Sequence, residues 1–265
     1  MIQHIERADD PRLAPYADVG HHARLRERGL CVAEGRTVLR RLAEAERFEL
    51  HSVVLSPAAY DDLRSLVAVL ECPVYVCATD VLQTITGFDF HRGCLALAKR
   101  PDESASMARF VSATRLLALE GVGNPDNVGG LFRVAQAFAV DGVLLAPSAA
   151  DPLYRKAIRT SMGAVLRVPF VRAERWPAAL AELRAAGFSV IGLAPAAGAI
   201  SMSAFAASVD ADARLALLLG AEGPGLTHEA MLACDGLVRI PIDPAVDSLN
   251  VVVAAGIALA FLQAR

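Results

Sequence analysis

The sequence is poor in the features that would tie it to a metal, a membrane or a disulfide framework. Its five cysteines, Cys31, Cys72, Cys77, Cys94 and Cys234, form no C-x-x-C pair. Their count is odd and they are scattered through apolar runs, so they read as small buried hydrophobes in a reducing compartment. Positive charge is not in excess: 26 Lys and Arg stand against 29 Asp and Glu, for a formal net charge of −3. Overall charge therefore cannot drive nucleic-acid binding, and any basic surface has to be local. The longest apolar run, Val251–Leu262, covers about a dozen residues, short of the roughly 20 that span a bilayer. The first ten residues mix His, Glu, Arg and Asp with no apolar core of a signal peptide. A soluble, cytoplasmic protein with no metal site is expected.

Apolar residues make up 54% of the 265 positions and charged ones 21%, which supplies buried cores and excludes a disordered chain. The length suits two modest domains. From Leu30 to Lys99, short apolar strands (Leu30–Ala33, His51–Leu55, Val74–Cys77, Cys94–Ala98) alternate with amphipathic helices (Arg36–Glu46, Ala58–Val69, Thr79–Thr84). This is an α/β pattern. The stretch 100–112 is polar, contains a proline and reads as a linker between a domain at 1–99 and another at 113–265. In the second, strands are expected at Arg115–Leu119, Val143–Ala146, Val165–Val171, Ser189–Leu193, Leu215–Leu219 and Leu237–Ile240. Helices are expected at Val128–Phe138, Pro152–Met162, Trp176–Ala186, Thr227–Ala233 and Leu249–Gln263. Uninterrupted runs such as Leu215–Leu219 fit strands of a parallel sheet, buried on both faces.

Ligands of open parallel sheets bind beyond the carboxyl ends of the strands, and three such ends are rich in Gly, Pro, Asn and acidic residues. The first, Leu119 to Arg133, runs L-E-G-V-G-N-P-D-N-V-G-G-L-F-R. Asn127 suits the N-cap of the following helix. Asp126 stands where a dinucleotide fingerprint needs its third glycine, so that reading fails. The second, Leu219 to Leu226, sets three glycines and a proline around Glu222, which allows close backbone approach to a ligand beside one carboxylate. The third, Ile240 to Asn250, carries Pro241 and Pro244, which stop a strand ladder, and Ser248 and Asn250, capping types ahead of a nearly all-apolar final helix.

In this order, N-V-G-G-L-F-R-V-A, L-L-G-A-E-G-P-G-L and I-P-I…D-S-L-N-V-V-V-A-A-G-I-A-L resemble the three signature motifs of the SpoU/TrmH family of the SPOUT methyltransferases. Arg159 to Ala164 resembles the helix between the family's first two motifs, and the likeness runs from about Arg115 to Leu262. Val252 departs from the small polar residue common in relatives, which touches packing rather than chemistry. The resemblance implies a trefoil-knotted α/β methyltransferase domain, S-adenosyl-L-methionine as cofactor, an RNA substrate (rRNA or tRNA) and a homodimer. The segments Val32–Arg36 and His91–Cys94 resemble the ribosomal-protein-L30e-like RNA-binding domain that precedes many members.

Residue by residue, the resemblance places Arg133, Asn127, Glu222, Ser248 and Asn250 in the catalytic shell, and Leu193, Ala194, Gly220, Ile240 and Leu249 around the cofactor. No metal is needed for in-line methyl transfer; the protein positions two reactants and helps a ribose hydroxyl lose its proton. A guanidinium is a poor base as it stands, so Arg133 acts either as a clamp on phosphate or alkoxide or, after a large local shift, as the base; Glu222 either holds Arg133 or is itself the base. Candidate RNA-gripping positions are Arg24, Arg26, Arg28, Arg36, Arg40, Arg41, Arg155, Lys156 and Arg159, each of which alone equally fits a solvated helix face. The other readings are a catalytically silent RNA-binding relative and an enzyme acting on a base nitrogen.

Overall fold

The computed structural model describes residues 2–87, 92–101, 107–210 and 212–263, so His91 lies outside the described residues. The chain forms two compact units: Met1–Asp102 with Pro152–Arg167, and Glu103–Asp151 with Val168–Arg265.

The first unit runs β1 (Ile2–Ile5), a 3-10 turn at Pro11–Asp18, α1 (His22–Glu27), β2 (Leu30–Glu34), α2 (Arg36–Ala43), β3 (Leu50–Leu55), α3 (Pro57–Asp62), α4 (Arg64–Val67), β4 (Val74–Cys77), α5 (Thr79–Thr86) and β5 (Cys94–Lys99). Its sheet has the order β1-β4-β3-β5-β2, with β1, β4 and β3 parallel and β5 antiparallel to both its neighbours. One core cluster gathers Leu13 and Tyr16 of the 3-10 turn, Leu25, Val32, Val54 and Leu97. The Tyr16 hydroxyl lies 2.8 Å from Ser52 Oγ, and burial holds its phenol well above the usual value.

The second unit contributes β6 (Arg115–Leu119), α6 (Pro125–Ala137) and β7 (Gly142–Leu145). The chain then returns to the first unit for α7 (Arg155–Thr160) and a 3-10 turn at Ala164–Leu166. There Arg155 Nη1 lies 3.0 Å from the buried Glu34 carboxylate, Arg41 Nη1 donates to Met162 O at 2.6 Å, and Arg47 donates to the carbonyls of Val165 and Leu166. The second unit resumes with β8 (Phe170–Arg172), α8 (Ala178–Ala185), β9 (Ser189–Leu193), β10 (Ile200–Ser201), α9 (Met202–Ser208), β11 (Leu215–Leu219), α10 (His228–Leu232), β12 (Gly236–Arg239) and α11 (Val251–Gln263).

These seven strands form one parallel sheet, β10-β12-β9-β11-β6-β7-β8. Every residue of β11 is buried, as its unbroken Leu-Ala-Leu-Leu-Leu run requires. Ala216 and Leu218 join Leu180 and Leu183 of α8 and Ala230 of α10 in one core. By strand alternation Leu217 and Leu219 face the other way. On that side Phe132 of α6 meets Phe170 of β8 edge-on, 5.8 Å between centroids. α11 packs on α6 so closely that a Cβ on Gly130 would stand 2.7 Å from Val252 Cγ2. The departure noted at Val252 is thus matched by a glycine opposite.

Four thiols are buried and Cys234 is half-buried, with none in a disulfide among the described residues. Burial pushes the thiols of Cys77 and Cys234 up to about 11 and that of Cys94 to about 12.

Several expectations need correction. α6 begins at Pro125, and its N-cap is Asn124, whose side chain accepts the Asp126 N–H at 2.9 Å; Asn127 lies inside the helix. Proline at the first helical position with Asn before it carries that signal. The strand expected at Val165–Val171 divides into the 3-10 turn and a three-residue β8. β1, the Pro11–Asp18 turn, α1, β10 and α9 are short elements that the apolar pattern does not mark. Phe110, in the expected linker, is buried in the second unit's core.

Candidate functional site

Beyond the carboxyl ends of β9, β11 and β12 lies a cavity of about 380 Å³. Three chain segments wall it: Leu193–Ala196 after β9, Leu219–Leu226 after β11, and Ile240–Val251 between β12 and α11. The second segment closes on itself. Ala221 and Gly225 exchange backbone hydrogen bonds of 3.2 and 3.0 Å, and a Cβ on Gly220 would stand 2.4 Å from the carbonyl carbon of Gly225. Only glycine fits there, since no backbone can yield so much space. The Ile240–Asn250 segment holds Pro241 and Pro244 and leaves the sheet at once, so its side chains are free to line the cavity rather than extend a ladder.

Leu193, Ala194, Gly220, Ile240 and Leu249 all line this cavity, and so do Glu222 and Ser248. Asn250 does not, but it joins the rim to α6. Its Nδ2 donates to Glu222 Oε1 at 2.8 Å and to Asn127 Oδ1 at 3.2 Å, while its Oδ1 accepts the Val252 N–H at 2.9 Å and caps α11. Asn127 is buried on α6, where it cannot be a cap but can hold Asn250. Of the five expected shell residues, Glu222 and Ser248 are therefore on the cavity wall, Asn250 is bonded to it, and Asn127 is joined to it only through Asn250. Arg133 is not among the lining residues; it is exposed on α6, and its side chain has no ion pair or hydrogen bond among the described residues.

The lining also includes Arg239 and Asp247, which carry no signal of their own in the sequence motifs. Arg239 ends β12 and Asp247 precedes Ser248, so their nearness to the third glycine- and proline-rich segment was the available signal. A further missed residue is Glu120, a buried carboxylate directly after β6. Of the expected RNA-gripping residues, Arg41 and Arg155 are spent on contacts inside the first unit, and Arg36 and Arg40 share Asp62.

The cavity suits a nucleoside-sized cofactor. Its volume lies within the roughly 300–1,000 Å³ of small-molecule sites, its wall is mostly aliphatic side chains and glycine-loop backbone, and its charged lining residues are Glu222, Asp247 and Arg239. Among the described residues no group of three or more His, Cys, Asp or Glu could hold a metal. No helix is long and apolar enough to cross a membrane.

An open parallel sheet with such a cavity at its strand ends defines an α/β cofactor-binding protein. The sequence profile of the SpoU rRNA methylase family matches residues 114–260. An uncharacterized tRNA/rRNA methyltransferase of Mycobacterium bovis is 39% identical over 267 residues, covering 99% of this chain and 91% of that protein. A 23S rRNA (guanosine-2′-O-)-methyltransferase of a Burkholderia species is 35% identical over 182 residues, covering 67% of this chain and 72% of that one. The crystal structure of an AdoMet-bound rRNA methyltransferase from Sinorhizobium meliloti shares the fold, with a TM-score of 0.84 at 23% identity over 99% of this chain and 97% of its own. The chain belongs to the SpoU rRNA methylase family.

Proposed function

We propose that the protein transfers a methyl group from S-adenosyl-L-methionine to a ribose 2′-hydroxyl of rRNA or tRNA. The observation that carries this reading is the Asn250 bridge, which ties Asn127 of the first motif to Glu222 of the second at the edge of a cofactor-sized cavity. The names of the mycobacterial and Burkholderia relatives support it.

In this reading Leu193, Ala194, Gly220, Ile240 and Leu249 hold the cofactor, as apolar and backbone contacts suited to an adenosine. Bound S-adenosyl-L-methionine supplies an electrophilic methyl group on a cationic sulfonium. Asn250 occupies one oxygen of Glu222 and leaves the other with no partner among the described residues, so Glu222 is placed to receive the ribose hydroxyl proton. Ser248, on the same wall, orients the ribose. Arg133, exposed and unpaired among the described residues, grips the target phosphate or the developing alkoxide. The last segment threads through a loop as a trefoil knot and forms the cofactor pocket. Residues 1–99 are an L30e-like RNA-binding domain, with 100–112 joining them to a methyltransferase domain at 113–265. α11 is apolar along nearly its whole length and still exposes Val253 and Phe261, which supports a homodimer through that helix. A cytoplasmic location fits an RNA substrate.

The test is transfer of tritium from labelled S-adenosyl-L-methionine to cellular RNA without added metal, followed by alkaline hydrolysis. Label retained in alkali-resistant dinucleotides is expected. Label on bases alone would make the enzyme a base methyltransferase, and no transfer with intact RNA binding would make it a silent relative. Light scattering at micromolar protein is expected to give the dimer mass.

A further inference from the structure

Glu120 follows the last residue of β6 and is 5% exposed. Its carboxylate accepts three hydrogen bonds: from Trp176 Nε1 at 2.7 Å and Thr227 Oγ1 at 2.8 Å on Oε1, and from the Thr227 N–H at 2.9 Å on Oε2. No cation pairs with it among the described residues, so neutral donors alone offset the cost of burying it. Its own N–H donates to Leu219 O at 2.9 Å. One residue therefore holds both ends of the segment Leu219–Thr227, and the glycine loop that walls the cavity lies between those two anchors. Thr227 also caps α10 through Ala230 N at 3.2 Å, so the far anchor is fixed to a helix. Within the span Ala221 and Gly225 pair with each other, Glu222 is held from outside by Asn250, and Leu226 packs into the core.

A buried acid whose sole duty is to tether α10 would leave the cavity unchanged when weakened. The double anchor is different, because loosening the Thr227 end lengthens the span of a loop whose backbone is the cavity wall. We infer that Glu120 is a positioning residue for cofactor binding: it sets the separation of the loop ends, and through it the affinity for S-adenosyl-L-methionine, without touching the cofactor. This rests on the function proposed above.

Glu120→Gln keeps the volume but offers one acceptor and turns an NH2 toward a donor. The full-length variant is expected to raise the calorimetric Kd and the KM for S-adenosyl-L-methionine about tenfold or more, with kcat lowered less than about threefold. Thr227→Val, which removes the hydroxyl donor, is expected to weaken binding in the same way, and the double variant to be less than additive. Trp176 is the single tryptophan, so its emission reports loss of the anchor while circular dichroism reports the fold. Wild-type protein that binds no S-adenosyl-L-methionine would overturn the proposed function itself. Wild-type binding with an unchanged Kd in Glu120→Gln would overturn this inference alone. Should that variant not fold, an unchanged Kd in Thr227→Val overturns it.

Discussion

Asn250 fixes Glu222. Its amide oxygen is held by the first turn of α11, at Val252 N, which leaves its NH2 group pointed at Glu222 Oε1 and Asn127 Oδ1. The helix cap thereby decides which way the amide faces, and the amide decides where the carboxylate sits.

Two substitutions at Asn250 separate these duties. Asn250→Ala removes the cap as well as the bridge and is expected to lower stability by about 1 kcal/mol and the methylation rate by roughly tenfold or more. Asn250→Asp keeps an oxygen for the cap but sets a second carboxylate against Glu222. Such a pair shares a proton, so its folded pKa is raised; the pair's stability is present at low pH and lost as pH rises. Thermal melts of Asn250→Asp should fall relative to wild type as pH rises from about 4, where unfolded carboxyls ionise, and equal melts up to neutral pH would refute the contact.

Arg133→Ala is expected to lower the rate at least about a hundredfold, the scale of removing one oxyanion-type donor. Cofactor affinity should hardly change, because Arg133 is not among the residues lining the cavity. Arg133→Lys should recover little, since a point charge cannot replace a planar fork. Single-turnover transfer to RNA measures the first and calorimetry the second. Near-normal turnover in Arg133→Ala would remove it from the mechanism.

The α6–α11 contact makes a packing prediction. Gly130→Ala puts a methyl 2.7 Å from Val252 Cγ2 and is expected to cost about 1–3 kcal/mol in denaturant unfolding. Val252→Ala in the same chain should restore most of that loss, because it removes the atoms in conflict. Independent effects in the double variant would show that the two helices do not meet there.

Stability should decline on the alkaline side. The thiols of Cys77, Cys94 and Cys234 are raised by burial from the ordinary 9.0 to about 11, 12 and 11. Below pH 9 they are protonated in both states. Between about 9 and 12 the unfolded chain loses these protons first, so the folded state loses its advantage as pH rises. Melting temperatures measured from pH 8 to pH 11 should fall. At pH 8 the native protein should be alkylated far more slowly than the unfolded chain.

Much of the second unit was legible in the sequence because its strands announce themselves. Arg115–Leu119, Ser189–Leu193 and Leu215–Leu219 have the bounds their sequence implies, since each apolar run stops at Glu120, Ala194 with its following proline, or Gly220. The stretch 164–172 was not legible. Val165, Leu166, Val168, Phe170 and Val171 are all buried, and with Arg167 and Pro169 set among them the stretch is too short and too broken to carry a clear helical or strand period. The five residues expected at the cofactor line one cavity; Gly220, Ile240 and Leu249 stand in the glycine- and proline-rich segments, and Leu193 and Ala194 at the end of a neighbouring strand. The bond between Asn127 and Asn250 joins residues 123 positions apart, and only tertiary packing determines it. Glu120 went unread for a similar reason: an acid after an apolar strand looks like any solvated turn until Trp176 and Thr227 close over it.

The return of residues 152–167 to the first unit bears on how the gene can be rearranged. Leu153, Ala157, Ile158, Val165 and Leu166 of that stretch are each at most 1% exposed, and their surroundings belong to the unit that begins the chain. The two units are therefore not cassettes separable by one cut near the linker. A chimera that exchanged only the first hundred or so residues would give Met162, Val165 and Leu166 carbonyls a foreign surface in place of Arg41 and Arg47. Recombinants that stay folded would have to carry 152–167 along with the amino-terminal portion, so sequence variation in that short stretch should track variation in Arg41, Arg47 and Glu34 rather than in its immediate neighbours along the chain.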